Sequence, residues 1–396
     1  MPIHGPESMP IEVRTSAPTQ LEQARELVAA VQRLALARTL ETIQEIVRTT
    51  ARRLTGADGA TFVLRDGGQC FYADEDAISP LWKGQRFPLD RCISGWAMRN
   101  RRPAVIEDIY RDDRIPHDAY RPTFVKSLAM VPIRTLAPVG AIGNYWARPH
   151  RPTEEEVELL QALADSTAVA IENVGVYQEL EAARLETLQR LAVAGEYRDD
   201  ATHRHTARVA ATSAALAREL GLGQSEVLLL SQAAPLHDIG KLAVSDAILL
   251  KPGPLTAEEF ETMKGHVESG AGILADSTSA VLRLAQEIAL THHEWWDGSG
   301  YPRGLRGEEI PLSGRIVALA DVFDALTHDR PYKAAWPVDR AAAEIERLRG
   351  RQFDPDVADA FAALDPWPLA ESGALAPAAS SPTGCAGGRE VSSGTE

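Results

Sequence analysis

The most informative run of the sequence is HHEWWDGSGYP, residues His292–Pro302. It begins with two adjacent histidines and an acid, one residue after the apolar, helix-forming stretch Ala285–Leu290. It then becomes rich in glycine and ends in proline, residue types that shape loops. Imidazole and carboxylate groups at the end of an apolar helix cost free energy unless they are paired or bound to a metal ion. The run therefore predicts a metal site at a helix end, followed by a structured loop.

Groups of the same chemistry occur on both sides of this run. LHDIGK at residues 236–241 and His266 precede it, and Ala320-Asp321 follows it. Seven of the ten histidines lie between positions 203 and 328, a distribution too uneven for histidines scattered over the protein surface. Mixed nitrogen and oxygen ligands of this kind suit Fe, Mn, Zn, Ni or Co better than Ca or Mg. The pattern as a whole predicts a transition-metal site in the C-terminal half.

The adjacent residues His237 and Asp238 are spaced so that both could bind one metal ion. Neighbouring side chains on a helix point about 100° apart, so two groups from one turn can flank a metal ion. The carboxylate can also bridge two metal ions. Lys241 returns to the His237 face if the helix persists past Gly240.

These residues resemble the HD-GYP family, bacterial phosphodiesterases that hydrolyse cyclic di-GMP within the HD metal-dependent phosphohydrolase superfamily. HHEWWDGSGYP matches the family signature HHExxDGxGYP. The resemblance runs from about Ala194 to Phe361 and includes LHDIGK, KPGPLTAEEF at residues 251–260 and RIVALADVFDALTHDRPYK at residues 315–333. It implies an all-α HD-GYP domain over residues 194–364.

Carried over position by position, the resemblance implies both metal ligands and substrate contacts. The implied metal ligands are His205, His237, Asp238, His266, His292, His293 and Asp321. Asp238 is expected to bridge the metals and Lys241 to approach the scissile phosphate, which makes these two the catalytic residues. The implied substrate-binding residues are Lys241, Tyr301, Asp324, Arg330 and Lys333. Arg330 and Lys333 are expected on phosphate and Asp324 on guanine.

The resemblance also implies the cofactor and the product. Some family members hold a third metal through a Glu four residues before the first ligand histidine, but here that position is Ala201. We therefore predict two divalent transition-metal ions, iron first, with Mn, Ni, Co or Zn as alternatives. Two such ions lower the pKa of a bridging water and neutralise charge on the phosphoryl oxygens. The expected product is linear pGpG, and a second cleavage would give GMP.

The N-terminal half has a different pattern, in which short β-rich runs alternate with Gly, Pro and Asp turns. The runs are Ala60–Arg65, Gln69–Ala73, Ala104–Ile109, SLAMVPI at Ser127–Ile133 and GAIGNYWA at Gly140–Ala147. The last two are expected to pair across the short loop between them. Together with ISGWAM at residues 93–98 and AVIEDIYRDDR at residues 104–114, they resemble a GAF domain. The resemblance implies an α+β fold, an antiparallel sheet with flanking helices.

GAF domains bind small ligands between sheet and helices, or they dimerise, and the sequence does not identify a ligand here. Cys70 and Cys92 are candidates for chromophore attachment or redox sensing, and His117 for haem ligation. Ordinary packing is the favoured alternative for all three. The chain has three cysteines, which form no disulfide framework and indicate a reducing compartment.

Helices are expected on both sides of this sheet. Apolar spacing predicts one or two amphipathic helices over Gln20–Arg53. Thr153 reads as an N-cap, and no proline occurs from there to Leu191, so one long helix is expected to connect the two halves. Apolar positions at 3-4 spacing are compatible with a dimeric coiled coil. A helix that lies on its own domain is an equal alternative.

The predicted architecture is therefore a multidomain chain. The predicted segments are a disordered N-terminus at residues 1–18, a GAF-like sensory domain with an N-terminal helix at 19–174, an overlapping signalling helix at 153–193, the HD-GYP domain at 194–364 and a disordered tail at 371–396. The composition is that of a globular protein, with 44% hydrophobic and 24% charged residues. A net charge of −15 disfavours binding to nucleic acid or to an anionic membrane. Neither a secretory signal nor an apolar run of membrane-spanning length is seen, so we expect a cytoplasmic protein.

Three functional hypotheses follow. The first is a homodimeric signalling enzyme in which the GAF domain regulates hydrolysis of cyclic di-GMP, with signalling proteins as further partners. The second is a non-enzymatic regulator that binds the dinucleotide or a protein. The third is a hydrolase of another cyclic dinucleotide, such as cyclic GMP-AMP, or of a mononucleotide. The completeness of the ligand set favours an enzyme.

Overall fold

The computed structural model describes residues 19–198, 204–329 and 334–364. These residues fall into two compact units, one ending at Leu180 and the other beginning at Glu181. The predicted disordered segments 1–18 and 371–396 lie outside the described residues. Within the described ranges, none of the helices combines the length and apolarity needed to cross a membrane.

The N-terminal unit opens with two helices, α1 (Gln20–Leu36) and α2 (Leu40–Thr55). Each begins at a threonine whose hydroxyl accepts a backbone N–H of the first turn, Thr19 for α1 and Thr39 for α2. Of the one or two amphipathic helices predicted over Gln20–Arg53, the structure therefore has two.

A six-stranded antiparallel sheet follows. Its strands are β1 (Gly59–Asp66), β2 (Gln69–Ala77), β3 (Arg86–Pro88), β4 (Ala104–Ile106), β5 (Ser127–Ile133) and β6 (Gly140–Trp146), in the spatial order β3-β2-β1-β6-β5-β4. The predicted pairing of SLAMVPI with GAIGNYWA is confirmed, with Ser127 opposite Trp146 and Ile133 opposite Gly140. Sequence analysis missed β3, which has three residues at the sheet edge. It also extended β4 to Ile109, but the strand ends at Ile106, before a turn in which Asp108 accepts the N–H of Tyr110.

Both faces of the sheet are covered, which explains why every residue of β5 and β6 is buried. Helices α1, α2 and the start of α5 (Glu154–Glu196) pack on one face. On the other face lie α3 (Ile93–Asn100) and an aromatic cluster in which Trp82 contacts the rings of Tyr72, Tyr120 and Tyr145.

The candidate ligand-binding side chains of this unit have structural partners. Cys92 is the N-cap of α3, where its Sγ accepts the N–H of Gly95, and Cys70 is fully buried. His117 donates from Nε2 to the carbonyl of Ile109 at 2.9 Å. These contacts favour packing over ligand binding for all three residues.

The long helix expected after the sheet is present as α5. Its predicted cap is confirmed, since Thr153 Oγ1 accepts the N–H of Glu156, and Glu156 Oε2 accepts the N–H of Thr153. Thr167, which interrupts the apolar stripe, is fully buried and donates its hydroxyl to the carbonyl of Leu163. The coiled-coil dimer stays a prediction.

The C-terminal unit is helical, as predicted. Its elements are the end of α5, α6 (His205–Glu219), α7 (Gln224–Ala233), two 3-10 helices (Ala234–Leu236 and Ile239–Ala243), α8 (Asp246–Leu249), α9 (Ala257–Lys264), α10 (His266–Ile273), α11 (Ala280–Thr291), a third 3-10 helix (Gly307–Glu309), α12 (Leu312–Thr327), α13 (Val338–Arg347) and α14 (Pro355–Ala363). Its core is built from aliphatic side chains and the edge-to-face pair Phe323 and Phe361.

Candidate metal centre

The predicted ligands come from five elements whose ends or centres meet. His205 and His266 are the first residues of α6 and α10, and His292 directly follows α11. Asp321 lies in the middle of α12. His237 and Asp238 stand between two 3-10 helices, so the expected α-helical setting of this pair is wrong.

The change of helix type at Asp238 alters the position of Lys241. In a continuous α-helix Lys241 would return to the His237 face. In the 3-10 turn it instead lies beside Asp238, with its Nζ 2.7 Å from Asp238 Oδ2. Lys241 therefore contacts the carboxylate that was predicted to bridge two metals.

Backbone carbonyls determine which nitrogen of each histidine faces the site. His237 Nδ1 donates to Ala234 at 2.9 Å, and His266 Nδ1 donates to Met263 at 2.7 Å. His292 Nδ1 lies 3.1 Å from the carbonyls of Ile288 and Ala289. A carbonyl only accepts, so in the neutral ring the proton resides on Nδ1 and the lone pair on Nε2. Three Nε2 atoms are thereby oriented as metal ligands.

These lone pairs converge on Asp238. Its Oδ1 lies 3.2 Å from His266 Nε2 and 3.6 Å from His292 Nε2, and its Oδ2 lies 3.4 Å from His237 Nε2. Two atoms bound to one metal ion at about 2.1 Å are about 3.0–3.4 Å apart. The distances of His266 and His237 fall within this range, as expected for shared coordination of a cation, and that of His292 is slightly longer.

Two groups of ligand atoms share this aspartate. The first contains Asp238, His266, His292 and His293, and the second contains Glu196, His205, His237 and Asp238. Asp321 Oδ1 adjoins the second group, 3.4 Å from His205 Nε2 and 3.9 Å from His237 Nε2. All seven predicted ligands thus meet in one buried site, arranged as two possible cation positions joined by Asp238.

Metal ions fit this site because its buried polar atoms lack other partners. Among the described residues, His237 Nε2, His266 Nε2, His292 Nε2 and Asp238 Oδ1 are buried without a hydrogen-bond partner. Burying such atoms unsatisfied is costly. Divalent cations bound to these nitrogens and carboxylates would satisfy all of them.

The electrostatics of the protein alone also favour a cation. Burial disfavours protonation of His237, but the carboxylates around it, Asp238 first, raise its pKa to about 9. Burial lowers the pKa of His292 and lowers that of His293 strongly. Without a metal, therefore, the acids draw a proton onto His237, while His292 and His293 remain neutral and able to ligate.

Sequence analysis missed Glu196. It is the last residue of α5, only 3% exposed, and its Oε1 lies 3.4 Å from His205 Nε2. Burial raises its pKa to about 7. The sequence does contain a signal for Glu196. Leu188, Ala192 and Glu196 follow one another at four-residue spacing, so Glu196 places an acid on the apolar face of the helix.

Asp324 occupies a buried position behind His205. One carboxylate oxygen, Oδ2, accepts from His205 Nδ1 at 2.6 Å and from Arg208 Nη2 at 3.0 Å, and Oδ1 pairs with Arg208 Nε. Both oxygens thus have partners, and this carboxylate orients a metal-ligating histidine. The expected contact between Asp324 and guanine stays a prediction, which the observed pairing does not favour.

The remaining substrate-binding predictions have mixed outcomes. Tyr301 is half-buried at the edge of the site, with its ring stacked on His293 at 4.8 Å. Arg330 and Lys333 lie outside the described residues, as does Ala201, so their roles stay predictions.

Glu294 is a second residue whose role the sequence did not reveal. It is buried, and its carboxylate accepts the backbone N–H groups of Arg303 and Leu305 at 2.7 and 3.0 Å. Gly300 approaches so closely that a Cβ there would lie 2.2 Å from the backbone nitrogen of Trp295. These contacts hold the glycine-rich loop against the end of α11, beside His292 and His293.

Gly240 allows the close approach that brings His266 to Asp238. A Cβ at Gly240 would lie 1.9 Å from the carbonyl oxygen of His266 and 2.4 Å from the nitrogen of Gly270. Gly240→Ala is therefore expected to displace α10, to lower stability by about 1–3 kcal/mol and to lower the bound metal content. Gly272→Ala is the control for thermal unfolding and metal analysis, because Gly272 lies in α10 and has open space around it. Equal metal content in both variants would contradict this explanation.

Comparisons with known proteins agree with this geometry. The family described as HD domain matches residues 195–357, and the family described as GAF domain matches residues 37–172. A cyclic di-GMP phosphodiesterase of Thermotoga maritima is 53% identical over 189 residues, covering 48% of this chain and 51% of that protein. The cyclic di-GMP phosphodiesterase response regulator RpfG of Xanthomonas campestris is 44% identical over 240 residues, covering 58% and 64%.

A third relative is named for a substrate other than cyclic di-GMP. The 3'3'-cGAMP-specific phosphodiesterase 2 of Vibrio cholerae is 42% identical over 215 residues, covering 54% of this chain and 41% of that protein. The chain thus spans between 41% and 64% of the length of these three relatives. The chain therefore has one segment similar to HD domains, residues 195–357, and one similar to GAF domains, residues 37–172.

Proposed function

We propose that this protein is a metal-dependent phosphodiesterase that hydrolyses cyclic di-GMP to linear pGpG, from which a second cleavage would give GMP. The observation that carries the proposal is the sharing of Asp238 between two groups of buried ligand atoms. A binuclear site of this kind is the arrangement used by many phosphoryl-transfer enzymes. The relatives named as cyclic di-GMP phosphodiesterases supply the substrate class.

The residues of the chain have distinct roles in this proposal. When bound, two divalent ions would activate water and neutralise charge on the phosphoryl oxygens. Asp238 would hold both ions, and the histidines, with Nδ1 anchored to carbonyls, would keep the ligand geometry rigid. Lys241, 2.7 Å from Asp238, would place a positive charge where the scissile phosphate enters. We propose iron as the first metal, with Mn, Ni, Co and Zn as alternatives.

Local positive charge is required because the chain carries a net charge of −15, which repels a dianionic substrate. Lys241, the bound cations, Arg330 and Lys333 would supply it, and Tyr301 would line the edge of the site beside His293. We further propose that the GAF domain regulates hydrolysis in a homodimer joined through α5.

Two alternative functions have to be distinguished from hydrolysis of cyclic di-GMP. Specificity for 3'3'-cGAMP is the first, because one relative is named for that substrate. A non-enzymatic dinucleotide-binding regulator is the second, and the presence of all seven ligands together with Lys241 argues against it.

The test is anaerobic purification of the full chain with metal analysis, followed by turnover of cyclic di-GMP and 3'3'-cGAMP read by chromatography. We expect about two metal ions per chain and faster hydrolysis of cyclic di-GMP. His237→Ala/Asp238→Ala is the control and should lose both metal and product. Faster hydrolysis of 3'3'-cGAMP would transfer the proposal to that substrate. Full metal occupancy without any product would overturn the enzymatic function.

A further inference from the structure

We infer that Glu196 is an eighth metal ligand and that it completes the second cation position, together with His205 and His237. The inference rests on the proposed function only in that both concern the same binuclear site. No carboxylate was expected from α5, and Glu196 is its last residue.

The first argument is the isolation of the Glu196 carboxylate. Both of its oxygens are buried and have no hydrogen-bond partner among the described residues. A buried carboxylate without hydrogen-bond donors is unfavourable, and proteins pair such groups or use them to bind metal ions. The two oxygens thus lack the direct partner that a cation would provide.

The second argument is what surrounds this carboxylate. Its ligand atom lies within 4.8 Å of those of His205, His237 and Asp238. Its contact with His205 Nε2, at 3.4 Å, is longer than the 2.7–2.9 Å typical of a charge-assisted hydrogen bond. His205 carries the proton of its neutral ring on Nδ1, which faces Asp324. Glu196 and His205 therefore present an oxygen and a lone pair to the same space, the arrangement of two ligands of one ion.

Glu196 also makes the two cation positions chemically different. The first position has three histidines and Asp238, whereas the second would have Glu196 and Asp321 in addition to the shared Asp238. Oxygen-rich sites favour harder cations such as Mn²⁺. We therefore assign the second position to the harder of two divalent ions.

The experiment measures metal binding and needs no turnover. The full chain is stripped of metal and titrated anaerobically with Mn²⁺ by calorimetry, with bound metal counted after gel filtration. Glu196→Gln keeps the shape and removes the charge, and Glu196→Asp keeps the charge on a shorter side chain. Glu179→Gln, an exposed site in the same helix, is the matched control.

Wild type and Glu179→Gln are expected to bind about two Mn²⁺ per chain. In Glu196→Gln one binding event should stay unchanged and the other weaken by at least about tenfold, with a smaller loss in Glu196→Asp. Two unchanged binding events in Glu196→Gln would overturn the inference.

A stability measurement separates a ligand from a structural partner of His205. Metal-free Glu196→Gln should unfold at the same temperature as metal-free wild type or above it, because a buried carboxylate without hydrogen-bond donors has been removed. Mn²⁺ should raise the unfolding temperature of the variant less than that of wild type. A metal-free variant of lower stability with normal Mn²⁺ binding would show that Glu196 is a structural group. Two Mn²⁺ ions bound by wild type and one weakened binding event in Glu196→Gln, with no turnover by wild type, would overturn the proposed function and leave this inference supported.

Discussion

Asp238→Asn is expected to empty both cation positions and to abolish hydrolysis of cyclic dinucleotides. The carboxylate faces His266 Nε2 with one oxygen at 3.2 Å and His237 Nε2 with the other at 3.4 Å. Asparagine keeps the shape but replaces one ligating oxygen by an NH₂ group, which cannot bind a metal ion. Loss of a partner that merely orients a ligand lowers metal affinity by about 10–100-fold, so loss of a shared ligand should cost at least about 100-fold.

The measurement is metal content after gel filtration, together with kcat/KM for cyclic di-GMP. Asp359→Asn is the matched control, because Asp359 is an exposed aspartate that pairs only with surface Arg349 among the contacts seen. It should leave metal content and activity unchanged. If Asp238→Asn retained two ions per chain, Asp238 would not be the bridging ligand.

The second large effect is expected from Asp324→Leu. Asp324 is 4% exposed and neutralises the buried guanidinium of Arg208, which lies one turn after His205 in α6. Removing one partner of a buried ion pair costs about 3–5 kcal/mol because the other charge stays buried. The variant should therefore unfold at a much lower urea concentration than wild type, as followed by circular dichroism.

A double variant separates stability from positioning of the metal ligand. Arg208→Met/Asp324→Leu removes both charges and should recover most of the lost stability. It should not recover metal affinity, which we expect to stay about 10–100-fold weaker because His205 Nδ1 has lost the carboxylate that orients it. Full metal affinity in the double variant would show that Asp324 serves the fold alone.

The ligand types could be predicted from the sequence because they are grouped in short local motifs. HHEWWDGSGYP and LHDIGK contain four of the seven predicted ligands within two runs. The elements that carry them follow from apolar spacing and caps, as at Thr153, whose hydroxyl begins α5 as predicted. The pairing of β5 with β6 followed from two apolar runs and a short loop.

The class of each domain, the type of most helices and strands, and seven candidate ligands could therefore be predicted from the sequence. Three features became visible only in the folded chain: His237 and Asp238 lie between 3-10 helices, Asp324 pairs with Arg208, and Glu196 lies close to His205, His237 and Asp238. Local motifs depend on contacts between residues a few positions apart, which periodicity records. The carboxylate roles depend on long-range packing of α5, α6 and α12, which brings together side chains that no local pattern relates.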